Sequence, residues 1–340
     1  MTRSHAAAVE NADLVLEGGG VKGLGLVGAV VRLMREGYTF PRVAGTSAGA
    51  IVAALLAAGA TADELMAAMG RLEYRRVPDR ARPGIPGVSE GISLMAKRGL
   101  FKGDYIHRFV VDELKRLGVS KFGDLRHADA GADRNEPPER RYKLVVMATD
   151  VTRGRLLRLP WDYELLNRTA DDELVADAVR ASISIPLFFE PVTILDGETG
   201  AETTLVDGGI LSNFPIEIFD RTDGDRPRWP TLGVKVIPAL PIGDPELFPD
   251  LPLPTLPPLR LLEQVLATAI VGNDQTYLER PCVRRRAIQV DTSAVGIVEF
   301  DAPKAKRDAV VASGDHAARE FLKGWSWKRF KKECRGVDDG

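Results

Sequence analysis

The first sixty residues make the same change of structure twice. Ala12 to Leu16 (ADLVL) is a short apolar run that breaks at Gly18-Gly19-Gly20 and gives way to a helical pattern from Leu24 to Glu36. Val43-Ala44 ends a second apolar run, which breaks at Gly45-Thr46-Ser47-Ala48-Gly49 and leads into another helix. Gly37, between the two units, fits a helix C-terminal cap. Strand, glycine turn and helix in alternation are the parts of a parallel sheet, because parallel neighbours need a crossover and a helix is the usual one.

The alternation continues. Helical stretches fall at Thr61 to Glu73, Gly103 to Leu117 and Ala170 to Ser182, the last stopped at Ile185-Pro186. Strands are predicted at Tyr142 to Thr149, Leu187 to Ile194, Thr203 to Val206, Leu232 to Ile237 and Arg286 to Val290, and helices at Leu259 to Tyr277 and Lys304 to Leu322. The fold class is therefore α/β, with a mainly parallel sheet covered on both faces. Arg76 to Gly91 and Pro238 to Pro258 are too rich in proline or glycine for regular structure and read as long loops.

Composition narrows the function. With 340 residues and 44% hydrophobic content the chain can bury a substantial core. A net charge of −2 argues against a dedicated nucleic-acid binder. Cys282 and Cys334 are too few for a disulfide framework or a cysteine zinc site, and His5, His107, His127 and His316 lie far apart, so no metal is expected. The N-terminal apolar run is too short for a signal peptide, which predicts a cytoplasmic protein. Val43 to Ala62 carries no charge and has the length of a membrane span, but its Gly, Ala, Ser and Thr content favours strand, turn and buried helix.

Gly18-Gly19-Gly20-Val21-Lys22-Gly23 fits the G-x-G-x-x-G dinucleotide fingerprint. The acidic residue that should end the second strand and hold the ribose is missing, since that strand runs into Ala44-Gly45-Thr46-Ser47. Gly45-Thr46-Ser47-Ala48-Gly49 is better read as G-x-S-x-G, a nucleophile elbow, in which small residues let the chain turn sharply and present the serine at a helix N-terminus. The Ala48 amide and the amides of Gly18, Gly19 and Gly20 are candidate oxyanion donors. Lys22 is a candidate positive charge for an anionic head group, or simply a solvated lysine at a helix start. The blander reading of Ser47 is a helix N-cap. A base is harder to find. The histidines read as surface residues, which leaves Asp207, followed by Gly208-Gly209 at the end of an apolar strand.

Taken together, Glu17 to Gly23 (EGGGVKG), Gly45 to Gly49 (GTSAG) and Asp207 to Gly209 (DGG) resemble the patatin-like phospholipases. Ala148 to Arg155 and Ala181 to Val192 look like further blocks of that family. The resemblance implies a three-layer α/β/α sandwich, one catalytic domain over residues 1–340 with its core at 13–213, and hydrolysis of lipid acyl esters without a cofactor. It also implies a Ser-Asp dyad of Ser47 and Asp207, with Gly18, Gly19 and Gly20 as oxyanion donors and Gly23, Gly45, Gly49, Gly208 and Gly209 as supporting positions. Phospholipid is the expected partner, and nothing in the sequence identifies an activating protein. The alternatives are a Ser47-Asp207-His316 triad of the α/β-hydrolase order and a catalytically silent lipid-binding module. From Arg319 to Arg335, basic residues alternate with Trp325, Trp327 and Phe330, which suggests docking on an anionic membrane or, equally, a tail that packs its aromatics on the body.

Overall fold

The computed structural model describes residues 10–79, 99–127, 137–221, 227–236 and 280–336, with helical residues at 265–266 and 268–269. Along the chain, β1 (Glu10–Asn11) and β2 (Asp13–Leu16) precede α1 (Leu24–Arg35). Next come β3 (Tyr38–Thr39), β4 (Val43–Thr46), α2 (Ala48–Ala57), α3 (Ala62–Arg71), β5 (Gly99–Phe101) and α4 (Asp104–Arg116). The middle of the chain holds β6 (Leu144–Asp150), β7 (Arg155–Leu159), α5 (Val175–Ser182), β8 (Leu187–Phe189), β9 (Val192–Leu195) and β10 (Glu202–Asp207). The last part holds β11 (Thr231–Lys235), α6 (Pro281–Arg284), β12 (Ala287–Gln289), α7 (Lys304–Gly324) and α8 (Trp327–Arg335).

The main sheet is mixed and mostly parallel. Strands β12, β11, β2, β4 and β6 are parallel neighbours in that order, while β7, β10 and β9 join antiparallel. Strands β2, β4, β6 and β11 are buried along their whole length, as unbroken apolar runs flanked by helices should be. Helix α2 is buried nearly all round, which explains its charge-free sequence. No helix among the described residues is long and apolar enough to cross a membrane. Glycines inside α1 have a packing reason. A Cβ at Gly28 would strike the Val311 carbonyl and one at Gly314 the Gly25 carbonyl, so α1 and α7 pack backbone to backbone.

One detail of register matters most. Along β6, Val146 to Asp150 pair with β7 on one edge. The other edge is shared: Leu144 to Met147 pair with β4, and Ala148 to Asp150 pair with β10. Strand β4 runs with β6 and ends at Thr46, opposite Met147; β10 runs against it and ends at Asp207, opposite Ala148. The two strands thus meet head-on at adjacent positions of one edge, and the residues emerging there are Ser47 and Asp207.

Several expectations change. The strand predicted at Leu187 to Ile194 is two strands: β8 pairs with β5 in a separate ribbon, and β9 joins the main sheet. Between them stands Pro191, which has no N–H, and the Glu190 carbonyl is taken by the Arg180 guanidinium at 2.9 Å. The helix predicted from Ala170 begins at Val175, after a short 3-10 turn at Ala170–Asp172. The Pro238 to Pro258 loop, most of the Leu259 to Tyr277 helix, residues 80–91 of the first loop and His5 lie outside the described residues.

The basic C-terminal stretch is not a free tail. It forms the end of α7 and then α8, capped by the Ser326 hydroxyl, which accepts from the Arg329 amide at 3.3 Å. Cys282 and Cys334 are joined in a disulfide that ties α8 to α6. Phe330 is buried, and rings of Phe321, Trp325, Phe330 and Trp327 follow one another at centroid distances of 5.3, 5.6 and 5.8 Å. Trp327 and Phe330 face a cavity shared with Asp13 and Thr231, the first residues of β2 and β11. Ser47 follows the last residue of β4, so α8 covers the opposite end of the parallel strands. Of the aromatics in this stretch, Phe330 is buried and Trp325 and Trp327 are half-buried.

Candidate active site

Ser47 sits between β4 and α2 with φ 51° and ψ −123°, a backbone conformation that a residue with a Cβ adopts at a cost of about 1–3 kcal/mol. Its hydroxyl makes no capping hydrogen bond to α2, which removes the N-cap reading. Its amide donates instead to the Ser182 hydroxyl at 2.9 Å, which fixes the turn from the side of α5. The sharpness of the turn explains both flanking glycines. A Cβ at Gly45 would collide with the Gly49 backbone, and one at Gly49 would sit 2.6 Å from the Glu17 carbonyl oxygen and closer still to that of Leu16.

Asp207 is buried, with 2% of its surface exposed. Its amide donates to the Ser184 carbonyl at 2.9 Å, and its Oδ1 accepts from the Gly209 amide at 2.8 Å. Its Oδ2 meets no donor in full hydrogen-bond geometry, although the Ser47 side chain lies near enough to favour the charged carboxylate. The pair is therefore in reach of a hydrogen bond that is not fully closed. Burial raises the Asp207 pKa to about 7, against the opposing pull of the Gly209 amide and Ser47. An aspartate at its ordinary value would be a weak base; the buried one is matched to neutral pH. Gly208 and Gly209 leave room for this turn, since a Cβ at Gly208 would strike the Met147 carbonyl.

The glycine loop lies directly against the serine, because a Cβ at Gly18 would touch the Ser47 Cβ at 3.0 Å. The four expected oxyanion donors divide. The Gly18 amide donates to the Asn213 carbonyl at 3.4 Å, and the Asn213 side-chain amide donates back to the Gly18 carbonyl at 3.3 Å. Gly18 is therefore engaged in holding the loop. Among the described residues, the amides of Gly19, Gly20 and Ala48 have no such partner. Glu17 anchors the loop from its other side through a buried ion pair with Lys235 and by accepting from the Val236 amide at 2.6 Å. Lys22 is neither a solvated lysine nor a wall of the cleft. Its ammonium is half-buried and donates to the Thr292 carbonyl at 3.4 Å, with its pKa lowered by burial against the opposing charges of Asp291 and Glu17.

Ser47, Ala48 and Gly20 open onto one cleft. Its walls are almost wholly apolar, with Ile51, Leu72, Ile106, Ile185, Phe189 and Phe300 prominent. Arg180 braces the wall beneath. Its buried guanidinium donates to the Ser184 hydroxyl at 2.6 Å and to the carbonyls of Lys102 and Glu190, and burial lowers its pKa. Among the described residues no histidine lines the cleft. His107 pairs with Asp177 at 2.7 Å, and His316 sits within α7, outside the cleft lining. The triad reading loses its third member. Ser182 and Asn213 are contributors that sequence reasoning did not single out, since no periodicity distinguishes them.

A strained elbow serine, a buried carboxylate beside it and unpartnered amides thus stand together next to an apolar cleft on an α/β scaffold. Relatives give the class. The family model described as patatin-like phospholipase matches residues 14–220, more than half of the chain, and the protein belongs to that family. The uncharacterized protein YqhO of Bacillus subtilis is 40% identical over 227 residues, covering 66% of this chain and 71% of that relative. An uncharacterized NTE family protein of Mycobacterium bovis is 28% identical over 322 residues, covering 91% of this chain; the chain spans 46% of that relative's length. In fold, the chain resembles VipD of Legionella pneumophila, with a TM-score of 0.50 at 20% identity over 93% of this chain and 67% of that one. Family membership supports ester-bond hydrolysis of lipids.

Proposed function

We propose that the protein hydrolyses carboxylic esters of phospholipids or lysophospholipids through a Ser47-Asp207 dyad. In this reading Asp207 accepts the Ser47 proton while Oγ attacks the ester carbonyl carbon. The resulting oxyanion accepts hydrogen bonds from the amides of Gly19, Gly20 and Ala48 at the positive end of α2. Collapse expels the alcohol, which takes the proton from Asp207, and the acyl group remains on Ser47. A water then gives its proton to Asp207 and attacks the acyl-serine, releasing the fatty acid and restoring both side chains. The apolar cleft would hold the acyl chain and keep bulk water from Asp207, which maintains the raised pKa on which its basicity depends.

The observation that carries this reading is the head-on meeting of β4 and β10 along β6, which brings a serine and a buried carboxylate together from distant parts of the sequence. Ser47→Ala and Asp207→Asn, assayed separately on a short-chain chromogenic ester, should each lose activity by about three orders of magnitude. Full activity in the Asp207 variant would end the dyad reading. Mass spectrometry of products from a phospholipid, lysophospholipid and neutral-lipid panel then identifies the ester that is cleaved.

A further inference from the structure

Ser182 to Ile185, the segment that ends α5, alternates between two tasks. Ser182 and Ser184 are fully buried, while Ile183 and Ile185 belong to the apolar wall of the cleft. The two serines reach the two members of the dyad. The Ser182 hydroxyl accepts from the Ser47 amide at 2.9 Å, and the Ser184 carbonyl accepts from the Asp207 amide at 2.9 Å. Strands β4 and β10, which deliver Ser47 and Asp207, pair with β6 and not with each other. The segment therefore links nucleophile and base directly, outside the sheet.

It is itself held from behind. The Arg180 guanidinium donates to the Ser184 hydroxyl at 2.6 Å, and that hydroxyl donates to the Arg180 carbonyl at 2.8 Å. The same guanidinium reaches the carbonyls of Lys102 and Glu190, which follow β5 and β8. A Cβ at Gly103 would strike it, so it is packed closely on that side as well. Such a fixed support has a reason. Ser47 carries a positive φ of 51°, and a strained backbone persists only where its surroundings hold it. Without the Ser182 hydroxyl, a buried amide at this strained residue loses its acceptor, and nothing then opposes a shift of Oγ away from Asp207. A displacement of about 1 Å costs on the order of a hundredfold in rate.

We propose that Ser182 is a positioning residue for the nucleophile and that, together with Ser184, it sets the spacing between Ser47 and Asp207. This goes a step beyond the dyad reading and depends on it. Three replacements separate the hydrogen bond from the bulk of the side chain: Ser182→Ala removes the acceptor, Ser182→Cys is close in size but a weak acceptor, and Ser182→Thr keeps the hydroxyl. Each is assayed on the chromogenic ester beside Ser47→Ala, with denaturant unfolding to establish that it is folded. The Ala and Cys variants are expected to lower kcat about ten- to a hundredfold with KM changed less than about threefold, and the Thr variant to recover most of that loss. A pH profile distinguishes positioning from general loosening. Ser47 and the Gly209 amide favour the charged form of Asp207 against burial, so a displaced Ser47 gives less of that support. The acid limb of kcat/KM, expected near pH 7 in the wild type, should move to higher pH in the Ala and Cys variants. Full activity in Ser47→Ala would end the dyad reading and this inference with it. An inactive Ser47→Ala beside a folded Ala or Cys variant with wild-type kcat, or with an acid limb that does not move, overturns this inference alone.

Discussion

Replacing Asp207 by asparagine should make the protein more stable while it destroys activity, and the size of the gain follows from burial. In the folded chain the Asp207 carboxyl has a pKa of about 7, against 3.8 without the fold. At about 1.36 kcal/mol per unit, holding this group ionised inside the protein costs on the order of 4 kcal/mol at pH 7 and above. The folded state keeps a proton that the unfolded state releases between roughly pH 4 and 7, so stability is highest below that window and falls as pH rises through it. Asparagine does not ionise, and its side-chain carbonyl can still accept from the Gly209 amide. Denaturant unfolding should therefore show little difference between variant and wild type near pH 4, and a gain of about 2–4 kcal/mol for the variant near pH 8. This is the trade-off expected of a site whose chemistry requires an unfavourable burial. A variant less stable than wild type at pH 8, or a difference that does not change with pH, would refute the burial argument and with it the explanation of how an aspartate serves as base.

Three further outcomes follow from particular contacts. Gly49→Ala forces a methyl group against the carbonyls of Leu16 and Glu17, so it should cost roughly 1–3 kcal/mol in denaturant unfolding and also lower esterase activity by displacing Ser47. Cys334→Ser opens a loop with a sequence separation of 52 and should lower stability by up to about 4 kcal/mol, read as a thermal shift that reductant reproduces in the wild type and not in the variant. His316→Ala should retain wild-type kcat/KM, whereas a loss of several orders of magnitude would restore the triad.

Much of the site was legible because its residues are dictated by local geometry. A serine in a strained turn between strand and helix needs Gly45 and Gly49, so the sequence pattern and the backbone carry the same information. Asp207 was legible mainly by elimination among bases, and its raised pKa was not, because burial depends on what packs around the end of β10. The glycine loop was read as a set of equal donors; the structure uses Gly18 to bind Asn213 and thereby fixes the loop. That division rests on a contact between residues far apart in sequence, as do the Glu17–Lys235 pair and the Ser182 bond to the elbow. The C-terminal stretch left two readings equal for a related reason: its charges and aromatics suit a membrane surface or a packed helix alike, and the disulfide that ties α8 to α6 joins residues far apart in sequence. Ser326 and Gly336, a helix cap at each end, were the available signals for that helix.

The central claim is that Ser47 is the nucleophile and that Asp207 activates it. Treatment with a fluorophosphonate probe, followed by peptide mapping in a mass spectrometer, tests both parts at once. The account predicts a single adduct on the peptide carrying Ser47, formed much more slowly in Asp207→Asn and absent in Ser47→Ala. An adduct on another residue, or labelling of Ser47 at an unchanged rate in Asp207→Asn, would contradict it.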